Sequence, residues 1–177
     1  MHTNGCTRDK KGRMYRNLLI PLDGSDASKA GLCEVVRIAT PDVSRLRLVH
    51  VIDSSVGTDS YDPGTVGATM IQANRDNGTT ILAEAREVLT KYDLCAECVL
   101  IESHGWRVAS RIIAQAREWP ADLIIMGSHG RRGLARVAMG SAAAEVFRES
   151  PVPVLLVRAV YLRDTAVRDS ETPHRHQ

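Results

Sequence analysis

Aromatic residues are scarce in this chain: 177 residues include two tryptophans, four tyrosines and one phenylalanine, or 4% of the whole. Its core must therefore be aliphatic, which favours strands of Val, Ile and Leu buried between helices. The same scarcity removes the stacking platforms that hold single-stranded nucleic acid, and a formal net charge of +2 supplies no broad basic face for a duplex. No window approaches the roughly 18 consecutive apolar residues of a membrane span. The opening stretch from Met1 to Asn17 is polar and basic and lacks the apolar centre of a secretory signal. Four cysteines, Cys6, Cys33, Cys95 and Cys98, are too few and too irregularly placed for a disulfide scaffold. Together these absences predict a cytoplasmic protein that engages neither membrane nor nucleic acid.

What is present is a regular alternation. Five short apolar runs are of strand length: Asn17 to Leu22, Leu46 to Ile52, Cys98 to Glu102, Asp122 to Gly127 and Val152 to Val157. Helical stripes lie between them. Ala27, Ala30, Val35, Ile38 and Ala39 line one face of a segment that Ser25 can cap and Pro41 ends. Ile81, Leu82, Ala85, Val88 and Leu89 form a second stripe, and Val108, Ala109, Ile112, Ile113 and Ala116 a third. A last helix from about Ser141 to Glu149 would turn Ala142, Ala143, Val146 and Phe147 inward. Strands alternating with helices predict an α/β fold, a parallel sheet covered on both faces. Asp53 to Thr80 is long and polar and reads as a loop leading into the second helix. The expected organisation is one domain over residues 15–160, flanked by flexible segments 1–14 and 161–177.

In a parallel sheet, ligands sit beyond the carboxyl ends of strands where the strand order reverses. Two such ends carry unusual chemistry: "PLDGSD" after the first strand, and "GSHGRRGLARVAMGS" after the fourth. Gly127 and Gly130 leave room for a phosphate against the backbone, while Gly140 and Ser141 open a helix whose N–H groups and dipole favour an anion. Composition alone leaves the alternative of turn glycines and a capping serine. The spacing is Gly127, two residues, Gly130, nine residues, Gly140, Ser141. It is neither a P-loop, since no Gly-Lys-Ser/Thr follows, nor the Gly-x-Gly-x-x-Gly dinucleotide fingerprint.

This spacing, preceded by "ADLIIM" and followed by "PVPVLLV", resembles the nucleotide-binding branch of the universal stress protein family. The opening "NLLIPLDGSDASKAGL", the "LVHVID" strand and Gly105 before the third helix extend the resemblance over Asn17 to Arg158. It implies a three-layer α/β/α, Rossmann-like fold, akin to the adenine nucleotide α-hydrolases, with a five-stranded sheet in the order 3-2-1-4-5. That order sets the two loops face to face. The resemblance also implies ATP as ligand, with adenine near Pro21, Leu22, Asp23 and Val51. Met126, Gly127, His129 and Gly130 would approach ribose and phosphates, and Gly140, Ser141 and Ala142 would hold the phosphate tail. Mg²⁺ or Mn²⁺ would be held through phosphate oxygens, with no dedicated metal site in the protein.

Other candidates have plainer readings beside the functional ones. Asp23 could contact the nucleotide or cap the first helix. Arg131, Arg132 and Arg136 could pair with the γ-phosphate or an acidic partner, or form a solvated loop. His129 has no Asp or Ser at a spacing that would build a triad. Cys95 and Cys98 have zinc-like spacing without a second pair, and along a strand residues three apart point to opposite faces. Trp106 and Trp119 flank the third helix and are expected to pack, and His50 is expected to be a satisfied strand histidine. The expected function is a nucleotide-dependent stress-response regulator, not an enzyme, that acts through a protein partner and dimerises through the edge strand Val152 to Val157. The alternatives are an enzyme that slowly hydrolyses ATP or transfers its phosphoryl or adenylyl group, and a nucleotide-independent interaction module. The missing P-loop lysine, carboxylate pair and base weigh against the first, and the intact glycine loop against the second.

Overall fold

The apolar runs fold as parallel strands, buried at the centre of the sheet and partly covered at its edges, because nearly every position along them is apolar. The computed structural model describes residues 15–53, 66–130 and 139–159. Within these, strands β1 (Asn17–Pro21), β2 (Arg45–Ile52), β3 (Ala96–Glu102), β4 (Leu123–Gly127) and β5 (Val154–Val157) alternate with helices α1 (Asp26–Ile38), α2 (Val66–Thr90), α3 (Val108–Glu118) and α4 (Ser141–Glu149). The sheet runs β3-β2-β1-β4-β5 with every neighbouring pair parallel, as the resemblance implied. The expected flexible segments, 1–14 and 161–177, lie outside the described residues.

Alternation along each strand divides the core in two. Leu18, Ile20 and Leu48 meet Leu32 and Val35 of α1 and Leu82 and Leu89 of α2 on one face. Leu19, Val49 and Ile124 meet Ile112 and Ile113 of α3 and Val146 of α4 on the other. Asp122 then ties the starts of β1 and β4 together: its Oδ2 accepts from the main-chain N–H of Arg16 and of Asn17, both at 2.8 Å. Joined at their starts, β1 and β4 deliver their two loops to one crevice at the opposite end of the sheet.

Several expectations need correction. The segment expected as a loop as far as Thr80 is already helical from Val66, so α2 has 25 residues. The Asn-Gly-Thr-Thr stretch that reads as a loop sits mid-helix, where Thr79 and Thr80 donate their hydroxyls to the carbonyls of Arg75 and Asp76 at 2.9 Å. Residues 54–65 lie outside the described residues. Ile38 in the last turn of α1 is exposed, and so is Phe147, because the short α4 buries only Ala143 and Val146. Trp119 packs as expected, with Arg47 and Arg45 stacked 4.8 and 5.8 Å from its ring centre, but Trp106 is 65% exposed beyond the Gly105 turn. The strand expected from Val152 begins at Val154, since Pro153 has no N–H to donate and contributes only its carbonyl, to Ile124 N at 3.0 Å.

Candidate functional site

The chain leaves β1 through a turn that its own side chains organise. Leu22 N donates to Val49 O at 2.8 Å, and Gly24 takes a φ of +81°, which a side chain would resist. Asp23 Oδ1 accepts from Ser25 N at 3.0 Å and from Ser25 Oγ at 2.6 Å. The Ser25 hydroxyl oxygen in turn accepts from Ser28 N at 3.2 Å and so caps α1. Asp23 thus supports the cap, and the capping residue is Ser25. The Ser25 hydroxyl also reaches the carbonyl of His129 at 3.3 Å, across the crevice to the loop after β4.

That loop is held from its own side. Ser128 is buried, its N–H donates to Val157 O at 2.8 Å, and its carbonyl accepts from Gly140 N at 2.9 Å. The last bond brings the two ends of the glycine motif together. A Cβ on Gly130 would lie 2.8 Å from Asp23 Oδ2, and one on Gly140 would lie 3.4 Å from both Gly130 N and His129 Cα. Asp23, Gly130 and Gly140 therefore line one narrow place. Gly140 is the N-cap of α4; no side chain caps that helix, and its first turn carries no acid. An anion seated there would meet uncapped N–H groups and the positive end of the helix dipole.

Gly127 is different in kind. A Cβ there would lie 2.6 Å from Ala27 C, 2.7 Å from Ser28 N and 2.9 Å from Ala27 Cβ, so it is α1 that demands a glycine. Pro21, Leu22 and Met126 are buried and their backbone belongs to the sheet or its last bond, so they shape the floor of the crevice, and Val51 is half-buried at the end of β2. Ser141 is exposed and Ala142 half-buried in the first turn of α4. Arg131, Arg132 and Arg136 lie outside the described residues. The half-buried His129 brings Nδ1 within 2.7 Å of the Ser128 hydroxyl, and among the described residues no carboxylate orients its ring.

Sequence reasoning assigned Ser25 only a cap and passed over Ser128. The bond from Ser25 to His129 spans 104 residues, and no local signal announces it. Of the cysteine pair, Cys95 is exposed and Cys98 half-buried, where burial pushes its thiol above the usual range. Among the described residues no three His, Cys, Asp or Glu side chains gather as a metal site, and no helix is long and apolar enough to cross a membrane.

The sequence and the fold have counterparts in known proteins. The universal stress protein YxiE of Bacillus subtilis is 30% identical over 151 residues, which cover 82% of this chain and 100% of that one. Universal stress protein UspA from Lactobacillus plantarum shares the fold with a TM-score of 0.70 at 24% identity, over 81% of this chain and 98% of its own. A universal stress protein from Archaeoglobus fulgidus, solved in complex with dAMP, superposes with a TM-score of 0.54 at 19% identity, over 81% of this chain and 98% of its own. Residues 14–158 match the universal stress protein family, and the chain belongs to it.

Proposed function

We propose that the crevice between the β1 and β4 loops binds an adenine nucleotide, ATP with Mg²⁺ or Mn²⁺, and that a partner protein reads its occupancy. The carrying observation is the meeting of Asp23, Gly130 and Gly140 at the uncapped start of α4, where Cβ atoms on the two glycines would fill the space beside the backbone. Phosphates fit there because backbone N–H groups and the helix dipole supply the positive charge. Asp23, Leu22 and the main chain of Val51 would meet ribose and adenine, and Gly130, Gly140, Ser141 and Ala142 the phosphates. The A. fulgidus relative's dAMP supports the same ligand class. A divalent ion would neutralise phosphate charge when bound, held by the phosphate oxygens.

The site holds better than it cleaves. It has no P-loop lysine, and His129 is engaged by a serine hydroxyl with no carboxylate behind it among the described residues. The protein on this reading is a regulator and works as a homodimer through β5. Equilibrium dialysis with ATP, with and without Mg²⁺, tests it: saturable binding is expected, and none at about 1 mM would remove the nucleotide reading. Turnover above about one per second, abolished by one loop substitution, would replace the regulator with an enzyme.

A further inference from the structure

β1 and β2 pair in register from Asn17–Arg45 to Pro21–Val49, and one more main-chain bond, Leu22 N to Val49 O, closes the ladder. By the alternation of a parallel ladder, the Leu22 carbonyl would next accept from the N–H of Val51. That carbonyl instead meets Nδ1 of the His50 ring at 2.8 Å. A carbonyl can only accept, so Nδ1 carries the proton. The imidazole has taken the place of a ladder bond at the residue where the chain leaves the sheet for Asp23. It leaves Val51 N–H as the next donor beyond the end of the ladder.

The ring is held there from the other side. His50 is 3% exposed, and a Cβ on Gly78 of α2 would fall 2.6 Å from His50 Cδ2 and 3.2 Å from Nε2. It would also fall 2.6 Å from Leu100 Cδ1. Glycine weakens a helix interior, so its place in the middle of α2 answers to the ring and to Leu100 of β3, and not to the helix. Among the described residues, the end of β1, the strand β2 that carries it and α2 converge on this imidazole.

We propose that His50 is a positioning residue for the base end of the nucleotide pocket: its Nδ1–H holds the Leu22 carbonyl so that the Leu22–Asp23 turn and the Val51 N–H stay open to adenine, and Gly78 gives the ring its room. Adenine presents ring-nitrogen acceptors beside an amino donor, which main-chain groups at the end of a ladder can match. The proposal rests on the adenine-nucleotide reading and adds a residue that touches no ligand. The phosphate end, at Gly130 and Gly140, lies outside its reach.

Calorimetric titration of ATP and of inorganic tripolyphosphate into the wild type, His50→Asn, His50→Leu and Gly78→Ala separates the two ends. His50→Leu and Gly78→Ala are expected to weaken ATP by about tenfold or more while tripolyphosphate changes by less than about twofold. His50→Asn keeps a donor N–H at the δ position and is expected to bind ATP within about threefold of the wild type. Nitrogen NMR of the wild-type imidazole should show the Nδ1–H tautomer with or without ligand. An Nε2–H tautomer, an unchanged ATP affinity in His50→Leu, or equal losses for ATP and tripolyphosphate would each overturn the proposal and leave the nucleotide reading standing. A wild type that binds neither ligand would instead overturn the reading beneath it. If His50→Leu or Gly78→Ala does not fold, the wild-type tautomer still decides, since a ring protonated only at Nε2 has no hydrogen to give the Leu22 carbonyl.

Discussion

Gly127 and Gly140 belong to one motif and answer to different neighbours. Gly127 is pressed against Ala27 and Ser28 of α1, whereas Gly140 faces the loop it closes, at a φ of −60° that any residue adopts. Gly127→Ala is therefore expected to cost stability with or without nucleotide, by about 1–3 kcal/mol, as overpacking does. A urea midpoint that does not move would contradict this. Gly140→Val should instead weaken ATP by about tenfold or more, read by dialysis, with a urea cost of no more than the roughly 0.5–2 kcal/mol of a changed N-cap. The spacing of the motif was legible in the chain and pointed to the loops that follow β1 and β4, which the fold sets at one end of the sheet. The division of labour within it was not, because Ala27 lies 100 positions away from Gly127 and only α1 packing on β4 brings them together.

At the scale of elements, α1 shows how a local signal acquires a second use. Ser25 is a recognisable N-cap whose oxygen accepts from Ser28 N–H, and its single proton lies between the Asp23 carboxylate at 2.6 Å and the more distant His129 carbonyl at 3.3 Å. Ser25→Ala is expected to lower stability by about 1–2 kcal/mol. For a chain of this size that is about 2–8 °C in Tm. Calorimetry checks it, and an unchanged Tm would show that the cap is not what holds the turn. Helical stripes were legible wherever one face packs on the sheet, as in α3, whose buried Ala109, Ile112, Ile113 and Ala116 repeat at helical spacing. They failed at the first half of α2. Met70 and Ile71 are exposed there, so no apolar stripe marks the helix, and the glycine at 78 imitates a loop while serving His50.

For the whole molecule, the order β3-β2-β1-β4-β5 leaves β3 and β5 at the edges. The bonds Ile124 N to Pro153 O and Ser128 N to Val157 O set the alternation of β5, so Leu156 directs its N–H away from β4. If copies pair through this strand, Leu156→Pro removes an outward donor without deleting a β4–β5 bond, and a dimer should become a monomer in light scattering behind gel filtration. A wild type that is itself a monomer, or a proline variant that stays dimeric, would exclude pairing through β5. The number and order of the elements, the aliphatic core and the two loops that carry unusual chemistry are all written in the chain. Each of these follows from short-range periodicity and turn chemistry, which act over one or two turns of chain. That Ser25 reaches His129, that Ser128 gathers Gly140, that α1 claims Gly127 and that His50 holds Leu22 emerges with the packed fold alone. Those contacts join residues from 12 to 104 positions apart, and only the order of strands in the sheet, with the helices packed on it, makes them neighbours.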